Sequence, residues 1–494
     1  MSTLFKASLL LTFFFGINKL VALGRQALIA KQFGFSPEID AFNVANNVPD
    51  LLFSLITGGA LAVAFIPVLS DYLEKRGYTH AWRLFSIVAN LVFLTTAVLS
   101  VIVAIFAHNL VTSQFGIAPG FTTEQQNLAT QLMRYNLIAT LIFSLSGLVM
   151  AGLQAHKHFL LPAIAPILYN LGLIFGAVFL VPYFGVFGLV YGVIIGAVLH
   201  LVVQLPGLWY YKFKWSASLD LKEPGVRQTL LLMGPRILTV LFIQVIFLAR
   251  DNFASRLAEG SVTALTYGYF IMQVPETLIG TAIATALLPT LSTLVAEDKK
   301  AEFSQLMNRA INVILAITVL TATILSVSLE YLLEPVFGFN PSQTGLLVWT
   351  TRAYLLGLLG QCILEVITRA FYSQKNARTP LIATCIRMIA FLGLAVLLVS
   401  PLNAVGLALA DSLTITLEVA ILLYLMKRSS PEFFRPYKTI IHLTLASVAS
   451  GAIIYGLIYL SPLPILATVI IGMIIGGLAG LWFIRQEIKV LLKL

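Results

Sequence analysis

Four polar residues recur at helical spacing in the second long apolar run of the sequence. They are Asn43, Asn46, Asn47 and Asp50, at positions i, i+3, i+4 and i+7. A helix would place them on one face, where three amides and a carboxylate can hydrogen-bond a polar substrate. Such a stripe is costly against lipid, which favours a hydrated cavity. The alternative is a polar seam between helices, where these side chains bond only to their neighbours.

Two arginines in other apolar runs could bind an anion. Arg25 lies seven residues after Asn18 in the first run, so the two share a helical face, and Lys19 lies beside them. Arg250 occupies a similar place in the seventh run. Because guanidinium matches phosphate oxygens in bidentate fashion, these arginines predict a phosphate or diphosphate site. The alternative for each is an arginine near a span end that reaches towards lipid headgroups.

Several carboxylates inside apolar runs are candidates for carrying a coupling proton or sodium ion, because a charge inside the membrane is expensive and marks a functional site. They are Glu276, Asp251, Asp411 and Glu418. The last two are seven residues apart and share a face. Glu365 and Arg369, four residues apart, are expected to form a structural pair instead. The sequence contains no nucleophile motif, phosphate-binding loop or metal-ligand spacing, so we expect neither an enzyme nor a resident cofactor or metal.

The composition places all of these residues in a membrane. Of 494 residues, 59% are hydrophobic and 11% are charged, and the mean hydropathy is +0.93. A soluble chain carries about 25% charged residues, and a span needs about 20 apolar residues. Pro49 and Pro275 predict kinks in the second and eighth runs. Fourteen runs are long enough: 7–30, 41–70, 82–107, 128–153, 160–181, 185–209, 228–256, 261–294, 303–330, 344–372, 380–400, 403–426, 438–460 and 464–484.

The Lys and Arg residues between the runs orient the chain, because cytoplasmic loops are enriched in them. With the amino terminus inside, twenty lie on the cytoplasmic side and only two, Lys31 and Arg256, on the other. Both termini are therefore predicted to be cytoplasmic. A basic rim facing anionic lipid accounts for the formal net charge of +10 without a nucleic-acid partner.

Two parts of the chain resemble each other. AVAFIPVLS at 62–70 is similar to ATALLPTLS at 284–292, and NNVPDLLF at 46–53 to IMQVPETL at 271–278. Six spans separate the copies, so both insert with the same polarity. This predicts an all-α membrane protein with two six-helix lobes, 1–212 and 213–430, related by a pseudo-twofold axis along the membrane normal. Two further helices occupy 431–494. A cavity between such lobes is typical of alternating-access transporters.

Several segments resemble the MurJ/MviN family. They are GRQALIAKQFGFSPEIDAFNVANNVPDLL, GGALAVAFIPVLSDYL, ARDNFASRLAEGSVTALTYGYFIMQVPETLIGTAIATALLPTLS and RAFYSQKNARTP. The resemblance implies a lipid II flippase of the bacterial cytoplasmic membrane, within the multidrug/oligosaccharidyl-lipid/polysaccharide exporter superfamily. It also implies a cationic cavity between the lobes and an apolar groove for the polyprenyl tail on the last two spans. Residues 439–484 contain no Asp, Glu, Lys or Arg, which suits that groove.

The family's site carries over only in part. Arg25 matches the first-span arginine that the family requires, and Lys19 takes the place of an earlier arginine. Two further family arginines would fall at Phe53 and Phe270, and a family glutamate at Gly58. Three other arginines could supply the missing charge: Arg250, Arg352 and Arg387. The predicted substrate site comprises Asn18, Lys19, Arg25, Asn43, Asn47, Asp50, Arg250 and Arg352.

We therefore expect a monomeric flippase that moves a polyprenyl-diphosphate-linked glycan, foremost lipid II, to the outer leaflet by alternating access. Arg25 and Lys19 would hold the diphosphate, and Asn43, Asn47 and Asp50 would contact sugar or peptide. The expected partners are this lipid-linked glycan and membrane lipids, and the driving force would be membrane potential, protons or sodium. The alternatives are export of another lipid-linked oligosaccharide or small molecule on the same fold, and a non-transporting scaffold for envelope assembly.

Overall fold

The computed structural model describes residues 3–55, 60–429 and 437–485. Within these ranges the chain is mainly helical and contains no β-strand, as the sequence predicts. The helices are α1 (Thr3–Phe33), α2 (Pro37–Phe53), α3 (Ala60–Thr112), α4 (Thr123–Ala155), α5 (Leu160–Phe175), α6 (Val181–Phe184), α7 (Phe187–Val202), α8 (Leu205–Tyr210), α9 (Pro224–Ala254), α10 (Ser261–Glu276), α11 (Ala282–Ala296), α12 (Lys300–Phe337), α13 (Pro341–Ser373), α14 (Arg378–Ser429), α15 (Tyr437–Leu460) and α16 (Ile465–Phe483).

Eleven helical stretches in the described ranges are long and apolar enough to cross a membrane. Two of them are double. Gly77, with φ +78°, interrupts α3, and Asn403, with φ +51°, interrupts α14. These left-handed residues divide each long helix into two predicted spans, and α1 covers the first predicted run. Within the described ranges, each of the fourteen predicted runs therefore lies mainly in helix, and the protein is an all-α, multi-pass membrane protein.

The two prolines predicted to kink their spans lie inside helices that continue past them. Pro49 is internal to α2, and Ser54 and Leu55 then adopt π-helical structure. Pro275 is internal to α10, and a π-helical stretch, Thr277–Thr281, joins α10 to α11. Because proline donates no backbone hydrogen bond, the ladder is irregular at both places.

The chain divides into two compact units, Met1–Glu259 and Gly260–Leu494. The first unit includes α9, which packs on α3, so this division falls one helix after the predicted lobe boundary at residue 212. In the second unit α15 and α16 pack on α12, with Leu320, Leu443 and Ala446 in their shared core. Residues 430–436 and 486–494 of the predicted third domain lie outside the described residues. The repeat-based boundaries and the pseudo-twofold axis stay predictions.

Within the first unit, α5 and α7 approach closely along a seam of glycines. Gly172 and Gly176 on one side face Gly192 and Gly196 on the other. A Cβ on Gly176 would lie 2.6 Å from the Gly188 oxygen, so only glycine permits this approach. Small residues at such seams let helix backbones pack against each other in a membrane. The seam fixes α5, which carries residues of the site described next.

Candidate substrate site

Arg25 belongs to a polar chain between α1 and α5. Its Nη1 donates to the Asn170 Oδ1 at 2.9 Å, and the Asn170 Nδ2 donates to the Asn18 Oδ1 at 2.9 Å. The Arg25 Nη2 also contacts the Gln26 Oε1 at 3.5 Å. Asn170 is buried, whereas Arg25, Asn18 and the neighbouring Lys19 are half-buried. The structure thus brings Asn18 and Arg25 together through an amide on α5 that the sequence did not single out.

A second polar contact ties α2 to α9. The Asn47 Nδ2 donates to the Asp251 Oδ2 at 2.8 Å, and the Arg250 Nε donates to the Asp251 Oδ1 at 2.7 Å. Arg250 and Asp251 are both buried, and the Arg250 guanidinium lies 5.2 Å from the Phe247 ring centre. The Asp251 carboxylate therefore balances the Arg250 charge that was predicted to bind an anion.

The predicted polar stripe on α2 divides among different surroundings. Asn46 accepts a hydrogen bond of 2.8 Å from the Asn136 Nδ2 on α4, and Asn47 contacts α9. Asn43 is half-buried, and Asp50 retains solvent exposure. Asn46 and Asn47 thus bond to neighbouring helices, as in a polar seam, while Asn46 and Asp50 also line a cavity.

That cavity, of about 250 Å³, lies inside the first unit among α2, α4, α5 and α7. Phe53, where the family resemblance implies an arginine, forms part of its wall. Among the described residues that line it there is no Lys or Arg, and Asp50 is the one carboxylate. The polar members are Asn46, Asp50, Asn136, Thr140, Tyr169 and His200. Gly58, the third departure from the family, lies outside the described residues.

Arg352 lies in the second unit, on α13. Its Nε donates to the Ser326 oxygen on α12 at 3.1 Å, and its guanidinium lies 5.0 Å from the Trp349 ring centre. It lines a separate cavity of about 360 Å³ between α12 and α13, whose other walls are mainly aliphatic. Phe270, the other position where the resemblance implies an arginine, is half-buried on α10.

The coupling-ion candidates of the second unit, Glu276, Asp411 and Glu418, contact neighbouring side chains. The Arg387 guanidinium on α14 contacts the Asp411 Oδ1 at 3.0 Å and the Glu418 Oε2 at 3.2 Å, and all three residues are buried. Glu276 accepts hydrogen bonds from the hydroxyls of Thr277 and Thr281. The charge of Arg387 is therefore balanced by two carboxylates, and its suggested role in place of the family arginines stays a prediction.

Two further predictions concern pairs and metals. The expected structural pair forms, since the Arg369 Nη1 lies 2.5 Å from the Glu365 Oε2, one helical turn away. Across the ranges that the structure describes, no group of three or more His, Cys, Asp or Glu side chains is placed to hold a metal ion.

Known proteins are similar to this chain over most of its length. A family model described as "Lipid II flippase MurJ" matches residues 29–475. The lipid II flippase MurJ of Burkholderia cenocepacia is 31% identical over 388 residues, which cover 76% of this chain and 75% of that protein.

Solved structures show the same fold. A lipid II flippase MurJ in an inward closed conformation matches with a TM-score of 0.81 at 23% identity, covering 97% of this chain and 100% of that one. An inward-facing multidrug resistance MATE family transporter matches with a TM-score of 0.73 at 15% identity, covering 84% and 95%. The chain therefore shares its helical fold with both structures. With the family model spanning most of its length, the chain belongs to the lipid II flippase MurJ family.

Proposed function

We propose that this protein moves lipid II from the inner to the outer leaflet of the bacterial cytoplasmic membrane by alternating access. The observation that carries the proposal is family membership over residues 29–475, together with 31% identity to a lipid II flippase. The multi-pass helical fold supports it, because a polar headgroup can cross lipid only through a protein that shields it.

Within the first unit, Arg25 is the residue best placed to bind the diphosphate. Asn170 and Gln26 accept hydrogen bonds from its guanidinium through their amide oxygens, which orient the group. Arg250 is paired with a buried carboxylate. A half-buried guanidinium makes strong charge-assisted hydrogen bonds to phosphate oxygens. Lys19, also half-buried on α1, adds a second positive charge nearby.

The test is complementation of a flippase-depleted bacterium, combined with translocation of lipid II in proteoliposomes. We expect Arg25→Ala to lower translocation by about tenfold or more, since a charged hydrogen bond contributes roughly 1.5–3 kcal/mol. Arg134→Ala is the matched control, because Arg134 is exposed and bonds only the Ala104 oxygen among described residues. Failure of the unmodified protein to complement or translocate would refute the proposal.

The missing cavity arginines favour a second candidate, export of another lipid-linked oligosaccharide or a small molecule. In the cavity of the first unit, Asp50 contributes a carboxylate and Phe53 an aromatic ring. No Lys or Arg is among the described residues that line it. Competition of other polyprenyl-linked glycans with lipid II tests this candidate. A non-transporting scaffold is the third reading, and it predicts that Arg25→Ala and Asp50→Ala both complement at normal membrane levels.

Coupling to membrane potential, protons or sodium is part of the proposal. The Arg387 guanidinium faces two carboxylates, those of Asp411 and Glu418. This buried cluster therefore has one more negative than positive group, which suits the uptake of one proton or one sodium ion. Glu276 and Asp251 are the other candidates. Translocation measured under imposed proton, sodium or electrical gradients distinguishes the three forces. The responsible variant, Glu418→Gln or Asp411→Asn, should lose the gradient dependence.

We further propose that the protein acts as a monomer with both termini in the cytoplasm. The asymmetry of Lys and Arg between the loops supports the orientation.

A further inference from the structure

The cavity beside Asp50 has a polarity that the diphosphate site does not explain. It lies wholly within the first unit, and Asp50 contributes the one carboxylate among its described lining residues, which include no Lys or Arg. No salt bridge to Asp50 forms among the residues that the structure describes. A carboxylate in such surroundings repels a phosphate and attracts a cation.

A second hydrogen-bond acceptor in the same wall has no donor among the described residues. Asn136 is 2% exposed, and its Nδ2 donates to Asn46. Its Oδ1 accepts no hydrogen bond within the described ranges. A buried acceptor without a donor is unfavourable, so this oxygen calls for a donor from a ligand or an ordered water. Asp50 and Asn136 together favour a ligand that donates hydrogen bonds.

Four aromatic side chains form part of the cavity wall: Phe53, Phe143, Tyr169 and His200. Phe143 lies at the centre, with ring centroids 5.5 Å from Phe53, 5.1 Å from Tyr169 and 5.4 Å from His200. The His200 Nδ1 is already engaged by the Ser146 hydroxyl at 2.6 Å. Aromatic faces beside a carboxylate are the surroundings that organic ammonium groups favour. The volume of about 250 Å³ also exceeds what a bare metal ion needs.

The cavity adjoins the proposed anion site. Tyr169 lines the cavity, and the next residue, Asn170, holds the Arg25 guanidinium. One headgroup could therefore present an anion to Arg25 and a cation to Asp50.

We propose that this cavity of the first unit is a binding subsite for an alkylammonium group, with Asp50 and the Asn136 Oδ1 as acceptors and Phe143 at the centre of an aromatic wall. The group is either the free amine of the peptide on the translocated headgroup or a free organic cation. Only the first source rests on the proposed function.

The first arm of the test measures binding without transport. The full chain in detergent is titrated with ethylammonium chloride, sodium chloride, ethanol or N-acetylglucosamine while its thermal midpoint is followed. We expect ethylammonium alone to raise the midpoint. Asp50→Asn should weaken the apparent affinity about tenfold, whereas Asp71→Asn, at an exposed carboxylate of α3, should not change it. A response to N-acetylglucosamine and none to ethylammonium overturns the proposal.

The second arm identifies the source of the amine. Proteoliposomes are supplied with lipid II carrying either a free or an N-acetylated peptide amine. If the acetylated lipid is translocated more slowly, and if Asp50→Asn removes this difference in rate, the headgroup is the source of the amine. Ethylammonium binding with equal translocation of both lipids supports a free organic cation. Absence of both effects overturns the inference, whereas absence of any lipid II translocation refutes the proposed function and leaves the binding arm to decide.

Discussion

Arg387 is the residue on which the charge balance of the second unit depends. It lies before the left-handed break at Asn403 in α14, and its two carboxylate partners, Asp411 and Glu418, lie after it. The ion pairs therefore tie the two halves of α14 together. Thr384 strengthens the cluster by donating its hydroxyl to the Glu418 Oε1 at 2.6 Å. Because every charged member is buried, removing one partner leaves the others in a medium that cannot solvate them.

We predict that Arg387→Gln strongly destabilises the protein, since breaking a buried pair costs about 3–5 kcal/mol. The thermal midpoint in detergent and the membrane level should both fall. Adding Asp411→Asn and Glu418→Gln to the same chain should recover most of the loss, because the uncompensated carboxylates are then gone. Arg369→Gln is the control at a more exposed pair, which contributes about 0–1 kcal/mol. Equal losses for the two arginines would contradict this account.

Contacts within one helix could be predicted from the sequence, whereas contacts between helices could not. Helical periodicity predicts that Asp411 and Glu418 share one face of their helix. It also predicts the pairing of Glu365 with Arg369. The sequence does not reveal the roles of the amides Asn136 and Asn170, because the partner of each lies 90 or more residues away along the chain. Such contacts depend on which helices pack together, and periodicity within one helix carries no information about that.

The glycine seam between α5 and α7 is a feature of an element pair rather than of one residue. A Cβ at Gly176 would lie 2.6 Å from both the Gly188 oxygen and the Gly192 Cα, which are backbone atoms that cannot move aside. We predict that Gly176→Ala forces the helices apart and lowers the thermal midpoint by several degrees. Gly393→Ala in α14 is the matched control, because nothing lies within 4 Å of its Cβ position. There Ala should be neutral or stabilising, by up to about 1 kcal/mol.

The junction between α4 and α5 is held by an aromatic stack. The His156 ring lies 4.7 Å from Trp82 on α3 and 4.4 Å from Tyr211 in the loop after α8. Its Nδ1 also lies 2.9 Å from the Gly152 oxygen. Burial lowers the pKa of His156 below its usual value of 6.5, and it lowers the pKa of His158 in the same loop. Both lie outside the predicted spans, and the neutral rings are therefore the form that the folded junction favours.

The lowered pKa values predict that stability falls in mild acid. Below about pH 6.5 the unfolded chain takes up protons at these histidines before the folded chain does, so the free energy of unfolding decreases as pH falls through that range. Above it both states are neutral and the full stability remains. The thermal midpoint at pH 5.5 should lie below that at pH 7.5, and His156→Gln should narrow the difference. An unchanged difference in that variant would locate the pH dependence elsewhere.

At the scale of the whole molecule, hydropathy and helical periodicity predicted the number and type of elements, because each span must bury its own backbone groups inside one helix. They did not predict that α9 packs with the helices before it. The repeat assigns α9 to the second copy, whereas the Asn47–Asp251 contact and the packing on α3 join it to the first compact unit. That assignment depends on tertiary contacts, which a pattern of short similar segments does not record.

The orientation of the chain is the prediction that belongs to the whole molecule. The loop between α3 and α4 contains no Lys or Arg, whereas the segment between α8 and α9 contains Lys212, Lys214 and Lys222. Because basic loops are retained in the cytoplasm, Gln114→Cys should react with a membrane-impermeant maleimide in intact cells. Ala217→Cys should react only after permeabilisation.

Both labelling sites are exposed, so a difference between them reports the side of the membrane rather than burial. The native Cys362 and Cys385 are replaced by serine beforehand, and a chain with neither introduced cysteine sets the background. The reverse labelling pattern would place both termini outside. It would also contradict the orientation inferred from the basic residues, of which twenty were assigned to the cytoplasmic side and two to the other. The number of helices would be unaffected, because it is inferred from the lengths of the apolar runs.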